Sequence, residues 1–405
     1  MDVNLKKQTS EFWFILLLIV GYVIASSIAV PLNVENSRLF AVPYRIAVFI
    51  FSFFVIYKNF KWEKVTNISM ISFILFWILY AVKSVISFNS DQYLPEFLQN
   101  TNEVYIRLLV IAIVPCVALM MIDYKKIDLA LLVKYFYYIF IVMLSFNLIY
   151  GAVMPHIDLR LTSIFTVYYI SYGHFGTTLA LISMFLLMFN KNLISKYLVV
   201  YGLFLGLATI LIATARSPFL ALMIVSLYFV VLKRNWKLYF IYFGTIAFLI
   251  AGIYFYVQSG RTYFSFINRT YSWIFDGNNS LRTPLFERSL VIFKEDPLFG
   301  GRTLYEDGMY PHNLFLELLM ATGIVGFVLY FIKFIPVVKT WKWYLTTKYN
   351  VYYLFFGALF LQYFALVITS YNLYSVPEFL YFSSIIIGIS LNYSTEITIQ
   401  KQSNN

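Results

Sequence analysis

Long apolar blocks separated by short polar segments run along almost the whole chain. Each block is apolar throughout, without the alternation of apolar and polar positions that marks the strands of a membrane barrel. We place the blocks at residues 12–32, 39–57, 68–88, 104–122, 129–153, 172–189, 197–213, 218–232, 237–257, 312–332, 351–369 and 377–392. Blocks of this length can cross a bilayer only as helices. The pattern predicts an all-α, polytopic membrane protein with about 12 transmembrane helices, forming a single transmembrane domain over residues 1–405.

The composition agrees with this prediction. Of the 405 residues, 61% are hydrophobic and only 12% are charged, whereas soluble domains carry about 25% charged residues. The net charge of +11 does not indicate nucleic-acid binding, because the charges lie in the loops between the blocks. The basic start and first apolar block also fit a signal peptide, but the block continues past Ala25 and many others follow, so we expect it to be retained.

Lysines predict the orientation of the chain. The segments KNFKWEK, DYKKID, NKNLISK, KRNWK and 333–350 all fall on one side of the predicted spans. Cytoplasmic loops carry an excess of basic residues, so this side is expected to be cytoplasmic, together with both termini.

The opposite, outer side carries arginines instead of lysines. They are Arg38, Arg160, Arg216, Arg261, Arg269, Arg282, Arg288 and Arg302, with Lys294 as the exception. A guanidinium group binds two phosphate oxygens at once, so these arginines predict a phosphate or diphosphate site. Three further cations, Arg45, Lys83 and Arg107, lie in the outer halves of predicted spans. A charge placed there usually faces a cavity, although snorkelling to the interface is the alternative.

The longest loop, residues 258–310, joins the ninth and tenth blocks. Loops of this length are usually functional or disordered, and the many aromatic residues favour order. The stretch TPLFERSLVIFKEDP predicts a helix with Thr283 as its N-cap and Pro284 at its first position, ended by Pro297. Arg282 directly precedes this helix. The apolar residues of this helix suit a helix that lies on the membrane or over a cavity on the outer side.

MYPHNLFLELLMATGIVG, residues 309–326, places a histidine at the start of the tenth block. A neutral imidazole at His312 can accept a proton from an attacking hydroxyl, while nearby arginines neutralise a leaving diphosphate. The alternative is an interfacial histidine that caps the helix. Glu317 is expected to pair with a cation or to face a cavity, and His156 and His174 are expected to be structural. No metal-ligand or nucleotide motif occurs, so no metal and no cofactor are expected.

Four segments, in this order, resemble the O-antigen polymerases and O-antigen ligases: DLRLTSIFTVYYISYGHFG, ATARSPFLAL, SLRTPLFERSLVIFKEDPLFGG and PHNLFLELLMATGIVG. The resemblance spans residues 158–330, and the segment after Arg160 lacks the Asn-Pro-Asn often seen in the family. It implies a helical bundle in the bacterial inner membrane, with a periplasmic active site roofed by the long loop. It also implies Arg160, Arg216 and Arg282 as diphosphate contacts and His312 as the catalytic base. The remaining predicted substrate-binding residues are Asn313, Arg45, Lys83, Arg107 and Arg288.

The resemblance implies transfer of a glycan from undecaprenyl diphosphate to a hydroxyl, without metal and with inversion at the anomeric carbon. A polymerase uses another lipid-linked repeat unit as acceptor, and a ligase uses lipid A–core. The 42 Phe and 35 Tyr residues favour the polymerase. A flippase for lipid-linked glycans is an alternative of another class, although transporters usually place their cations near the midplane. Membrane lipids and a chain-length regulator are further expected partners. Nucleic acid is not an expected partner.

Overall fold

A computed structural model of the chain describes residues 8–89, 101–154, 163–260, 265–275, 282–373 and 375–403. Within these ranges the regular structure is helical throughout, which confirms the all-α prediction. The helices are α1 (Ser10–Ser27), α2 (Arg38–Lys58), α3 (Trp62–Val65), α4 (Ile68–Phe88), α5 (Thr101–Arg107), α6 (Val114–Met121), α7 (Leu129–Val153), α8 (Tyr169–Phe189), α9 (Lys196–Ala213), α10 (Arg216–Lys233), α11 (Trp236–Gln258), α12 (Ser265–Ile274), α13 (Thr283–Glu295), α14 (Leu314–Ile332), α15 (Ile335–Lys339), α16 (Lys342–Leu345), α17 (Val351–Val367) and α18 (Pro377–Ser403).

Ten segments of the described chain are long and apolar enough to cross a membrane, so this is a multi-pass membrane protein. They are α1, α2, α4, Val104–Met121, α7, α8, α9, α10, α11 and α14. The two other predicted blocks are also helical, as the 17-residue α17 and the 27-residue α18. Each apolar block of the sequence is therefore a helix. The number of twelve spans and the orientation of the chain stay predictions.

Helix α8 lies at the centre of the bundle, and its side chains are buried along most of its length. Small residues let it approach α9 closely, as is common between membrane helices. A Cβ at Gly176 would lie 2.8 Å from the carbonyl oxygen of Gly206, and a Cβ at Gly206 would lie 2.7 Å from that of Gly176. The same helix also packs against α7, α10 and α17. Helix α8 thus fixes the positions of α10 and α17, which carry parts of the candidate site.

Helix α13 is the helix predicted in the long loop, but it begins one residue earlier than expected. Thr283 is already helical and Arg282 occupies the N-cap position, so the assignment of Thr283 as N-cap was wrong. Pro284 is then the second helical residue. Proline is tolerated throughout the first turn because the N–H groups there have no partner within the helix. The shift places Arg282 at the helix end itself.

The loop that follows α13 packs against a break in α14. Gly323 lies inside α14 with φ +60° and ψ −163°. The N–H groups beyond the break, of Ile324 and Val325, donate to the carbonyls of Pro297 and Leu298 at 2.9 and 3.0 Å. Backbone groups in a membrane need such partners, since lipid provides none. The loop therefore completes the hydrogen bonding of the broken helix and is held firmly against it.

Candidate functional site

His312 stands immediately before α14, in a left-handed backbone conformation with φ +57°. The residue that caps the helix is Asn313, whose Oδ1 accepts hydrogen bonds from the N–H groups of Phe315 and Leu316 at 3.0 and 3.2 Å. A side-chain amide at this position satisfies N–H groups that have no partner in the helix. Helix capping therefore explains Asn313 and does not explain His312.

The connection between α17 and α18 runs past the start of α14. The amide nitrogen of Asn313 donates to the carbonyl of Ile368 at 3.2 Å. The N–H of Tyr371, a residue with φ +64°, donates to Nδ1 of His312 at 3.2 Å. On the other side of the imidazole, the ring of Tyr310 lies 4.3 Å away between centroids. These contacts fix the orientation of the half-buried His312 side chain.

Glu317, in the first turn of α14, anchors the same connection. Its side chain is only 1% exposed. One carboxylate oxygen accepts a hydrogen bond from the Tyr80 hydroxyl of α4 at 2.9 Å, and the other accepts from the N–H of Leu373 at 2.8 Å. The sequence suggested a cation or a cavity role for this residue. In the described structure both oxygens instead accept from neutral donors, and Glu317 joins α4, α14 and the connection.

Arg282 and Arg216 meet His312 at this place. The guanidinium of Arg282 donates to Oγ of Ser370, the neighbour of Tyr371, at 3.5 Å. Burial, and then the positive charge of Arg282, lower the pKa of His312 to about 4. Burial, and then the charge of Arg216, lower the pKa of Arg282. The structure thus brings three of the predicted catalytic residues together from α10, α13 and α14, and the imidazole among them is neutral near pH 7.

The two arginines each stand at the N-terminal end of a helix. Arg216 is the first residue of α10, and Arg282 is the N-cap of α13. Neither of these two helix ends has a side-chain capping hydrogen bond, in contrast to α14. The N–H groups of a first helical turn and the helix dipole make such an end favourable for an anion. Two arginines and two uncapped helix ends therefore provide the chemistry of a diphosphate site.

A buried polar network holds α10 and the end of α17 in register. Nε2 of His174 lies 3.0 Å from Oγ of Ser217, which follows Arg216 in the chain, and Ser217 accepts a hydrogen bond from Thr369 at 3.1 Å. On α17, Gln362 donates to the backbone carbonyl of His174 at 2.9 Å. The contacts agree with a structural role for His174. They also link Arg216 to the connection that touches the other site residues.

Sequence reasoning missed the segment TSY, residues 369–371, which contributes to this network and to the site. The three residues are uncharged and stand at the end of an apolar block, so no charge pattern in the sequence distinguishes them. Tyr371 also adopts its left-handed conformation without being a glycine or asparagine, so its residue type gives no sign of this geometry. Their role depends on contacts with residues more than fifty positions away in the chain.

Lys83, predicted to bind substrate, contacts the long loop. Its ammonium group donates to the carbonyl of Gly300 at 2.5 Å and pairs with Asp296 at 3.4 Å. The N–H of the next residue, Gly301, donates to the carbonyl of Met320 at 2.9 Å. Lys83 therefore ties α4 to the glycine turn that packs on the break in α14.

Arg288 also has partners within the protein. It forms ion pairs with Glu306 and Asp307, the latter at 2.9 Å, and its guanidinium lies 4.3 Å from the centre of the Tyr305 ring. These contacts fold residues 305–309 back onto α13. The described structure thus gives Arg288 a role in holding the loop together, and its predicted contact with substrate stays a prediction.

Arg45 and Arg107 are placed elsewhere, on α2 and at the end of α5. Both lie close to the hydroxyl of Tyr22 on α1. A π-helical segment, Leu108–Ile113, directly follows Arg107. Their role as substrate contacts stays a prediction, and the contacts described at His312 do not include them. Arg160, the fourth predicted catalytic residue, lies outside the described residues, as does His156.

Comparison with known protein families gives one match in this region. Residues 201–331 match the sequence model of the family described as O-antigen ligase. The matched segment includes Arg216, Arg282 and His312, and it confirms the predicted resemblance to the O-antigen polymerase and ligase family. A search of curated proteins found no match.

Proposed function

We propose that this membrane protein, which resembles the O-antigen polymerase and ligase family, transfers a glycan from undecaprenyl diphosphate to an acceptor hydroxyl. The observation that supports this most directly is the meeting of Arg216, Arg282 and His312 at the ends of three helices. The acceptor oxygen bonds to the anomeric carbon, the bond from this carbon to the diphosphate breaks, and the electron pair leaves with the diphosphate. A single displacement of this kind inverts the anomeric carbon.

Arg216 and Arg282 are proposed to hold the diphosphate. In the free site their charges oppose each other, and burial adds to this cost for Arg282. A bound diphosphate removes the conflict, and the negative charge that grows on the leaving group is met by donors already in place. The uncapped N-termini of α10 and α13 contribute further N–H groups. Arg160 is proposed to contact the same diphosphate, as the family resemblance implies.

The long loop, residues 258–310, is proposed to act as the lid of this site. Helix α13 carries Arg282 at its N-terminal end, and the turn after it is hydrogen-bonded to the break in α14. Lys83 holds the same turn from α4. A roof fixed at this end excludes water from the reacting atoms, which strengthens the electrostatic contacts inside.

The hydrogen bond between Tyr371 and His312 helps to decide whether the imidazole acts as a base or as a hydrogen-bond donor. Nδ1 accepts the N–H of Tyr371, so in the neutral imidazole the proton is on Nε2. As a base, His312 would have to release Tyr371 before it takes the acceptor proton. As a hydrogen-bond donor, His312 keeps its contact with Tyr371 and donates a hydrogen bond from Nε2–H to an oxygen of the diphosphate without losing the proton. The acceptor proton then passes to water or to a phosphate oxygen. The described contacts favour the donor.

A polymerase is the activity we propose, with a second lipid-linked repeat unit as acceptor, as the aromatic composition favours. The second candidate is a ligase with lipid A–core as acceptor, and the description of the matching family favours it. Both use the same diphosphate site, so the acceptor alone separates them.

The glycan profile of a strain that lacks the protein tests the proposal. Lipid A–core capped by a single repeat unit would establish the polymerase, and bare core with accumulated lipid-linked polymer would establish the ligase. If lipid-linked repeat units never reach the outer face, the protein is a flippase and the proposal is wrong. Complementation with Arg282→Ala should fail. Arg302→Ala is the matched control and should complement, since Arg302 lies on the same loop but pairs with Glu306 at 2.5 Å.

A further inference from the structure

A cavity of about 490 Å³ lies at the end of α10 opposite to Arg216. It is lined by the end of α10 and by the segment from Trp341 to Tyr349, which leads from α14 to α17. Helix α10 has 18 residues and a rise of about 1.5 Å per residue. The cavity is therefore roughly 27 Å from Arg216, close to the membrane surface that the lysines predict to be cytoplasmic.

The cavity combines positive charge with an apolar side. Arg234, Lys342 and Lys348 line it, and no acidic residue is among the described residues that do so. Trp341 and Tyr349, 51% and 50% exposed, line the same cavity. Tryptophan and tyrosine beside lysine and arginine are typical of the level of the lipid headgroups. Since the described lining includes no acidic residue, the three cations around the cavity favour an anionic ligand.

The apolar part of the cavity points to a ligand with a hydrocarbon portion. Val231 and Leu232 of α10 and Leu345 of α16 line it, and Val231 and Leu345 are 44% and 41% exposed. An inorganic anion would leave this apolar surface uncovered. The phosphate of a membrane lipid can reach the cations while its acyl chains cover the leucines and the valine.

We propose that this cavity binds the headgroup of an anionic phospholipid from the membrane leaflet opposite the candidate glycosyl-transfer site. Phosphatidylglycerol and cardiolipin have the required chemistry: a phosphodiester that three cations can hold, next to acyl chains. Basic pockets at the cytoplasmic ends of membrane helices are suited to such headgroups. The bound lipid connects the end of α10 with the segment before α17. This proposal does not depend on the reaction catalysed at the other end of these helices.

The test is native mass spectrometry of the full-length protein in a neutral detergent, with added phosphatidylglycerol or phosphatidylcholine. The wild-type protein should retain phosphatidylglycerol selectively. The triple variant Arg234→Gln, Lys342→Gln, Lys348→Gln should bind it more weakly, on the order of a hundredfold for three lost cations. In the matched control, Lys61, Lys125 and Lys196 are replaced by glutamine. These lysines are exposed and lie outside the cavity, so this variant should bind phosphatidylglycerol as the wild type does.

Three outcomes would overturn the proposal. Equal retention of phosphatidylglycerol and phosphatidylcholine would mean that the cavity does not select for charge. Equal loss in the cavity variant and in the lysine control would mean that overall charge, not this cavity, attracts the lipid. Binding of inorganic phosphate at millimolar concentration, with displacement of the lipid, would identify a site for a free anion. A single variant, Lys348→Gln, with a smaller loss of affinity in the same direction, provides the test if the triple variant is unstable.

Discussion

Replacing His312 by glutamine and by asparagine separates the two roles of its imidazole. The amide nitrogen of glutamine reaches the position of Nε2 and can donate a hydrogen bond, but an amide cannot act as a base near neutral pH. Asparagine reaches only the position of Nδ1, which the N–H of Tyr371 contacts at 3.2 Å. If His312 is a donor to the diphosphate, His312→Gln should keep much of the activity, and His312→Asn and His312→Ala should lose it.

The expected sizes of these losses differ between the two roles. A hydrogen bond to a charged group contributes about 1.5 to 3 kcal/mol, which is roughly a 10- to 150-fold loss of rate for His312→Ala. General-base catalysis contributes roughly 10²- to 10⁴-fold, and neither amide replaces it. As a donor, His312→Gln should therefore remain within about tenfold of the wild type. As a base, His312→Gln should be as slow as His312→Ala.

Two measurements on purified protein in lipid nanodiscs give the answer. The first is the rate of glycan transfer from a lipid-linked repeat unit, which is monitored through the length of the product. The second is the affinity for undecaprenyl diphosphate without glycan. A donor contacts this ligand, so His312→Ala should weaken its binding while His312→Gln should not. A base that acts only on the acceptor hydroxyl leaves this affinity unchanged.

Equal loss of rate in His312→Gln and His312→Ala, with unchanged affinity for undecaprenyl diphosphate, would refute the donor role and return the residue to the base predicted from the sequence. Thermal unfolding of each variant shows whether it is folded. Asn313 caps α14 and anchors Ile368 in every variant, so the helix start should persist.

Four further predictions concern Arg282, the pH dependence of His312 and the break in α14. Arg282→Lys keeps the charge but loses the paired donors, so its rate should fall less than that of Arg282→Ala, for which we expect a loss of roughly 10²- to 10³-fold in steady-state kinetics. Burial and then Arg282 lower the pKa of His312 to about 4, so the rate should show no titration near pH 6.5, and an inflection there that disappears in His312→Gln would contradict this. Since the unfolded chain takes up this proton between about pH 6.5 and 4, the contribution of His312 to stability should fall as the pH drops through that range, as melting of the wild type and His312→Gln would show. Gly323→Ala would place a Cβ 2.4 Å from the Leu298 carbonyl at a positive φ, so its melting temperature should drop, whereas Gly252→Ala, where a Cβ meets nothing within 4 Å, should be near neutral.

The helices were predictable because lipid leaves an apolar block no other way to satisfy its backbone. Helix α13 was predictable to within one residue, because a proline near the start and another after the end bound it in the sequence. The break in α14 was not predictable. Gly323 occurs in a Gly-x-x-Gly pattern that fits a continuous helix, and its left-handed conformation depends on hydrogen bonds to Pro297 and Leu298 in another part of the chain.

The candidate site was predictable where charge carries the information. An arginine on the outer side of a membrane protein is conspicuous, and so is a histidine at the start of a span. The neutral residues around them, such as Ser370 and Tyr371, carry no such signal. Charge alone also did not reveal which cations have acidic partners: Lys83 contacts Asp296, which is 213 positions away in the chain, and only the fold brings the two together.

The residues that each predicted anion-binding cation contacts indicate which of these cations can bind the diphosphate. Arg288 pairs with two carboxylates, so its charge is already balanced and a phosphate would have to compete for it. Arg282 donates instead to a neutral hydroxyl among the described residues. Burial and then the charge of Arg216 have the largest effects on its pKa, and both make its own charge more costly. An anion bound near both arginines offsets the repulsion between their charges, so its binding stabilises this arrangement. The diphosphate is therefore expected at Arg282 and Arg216, with His312 as its neighbour, and not at Arg288.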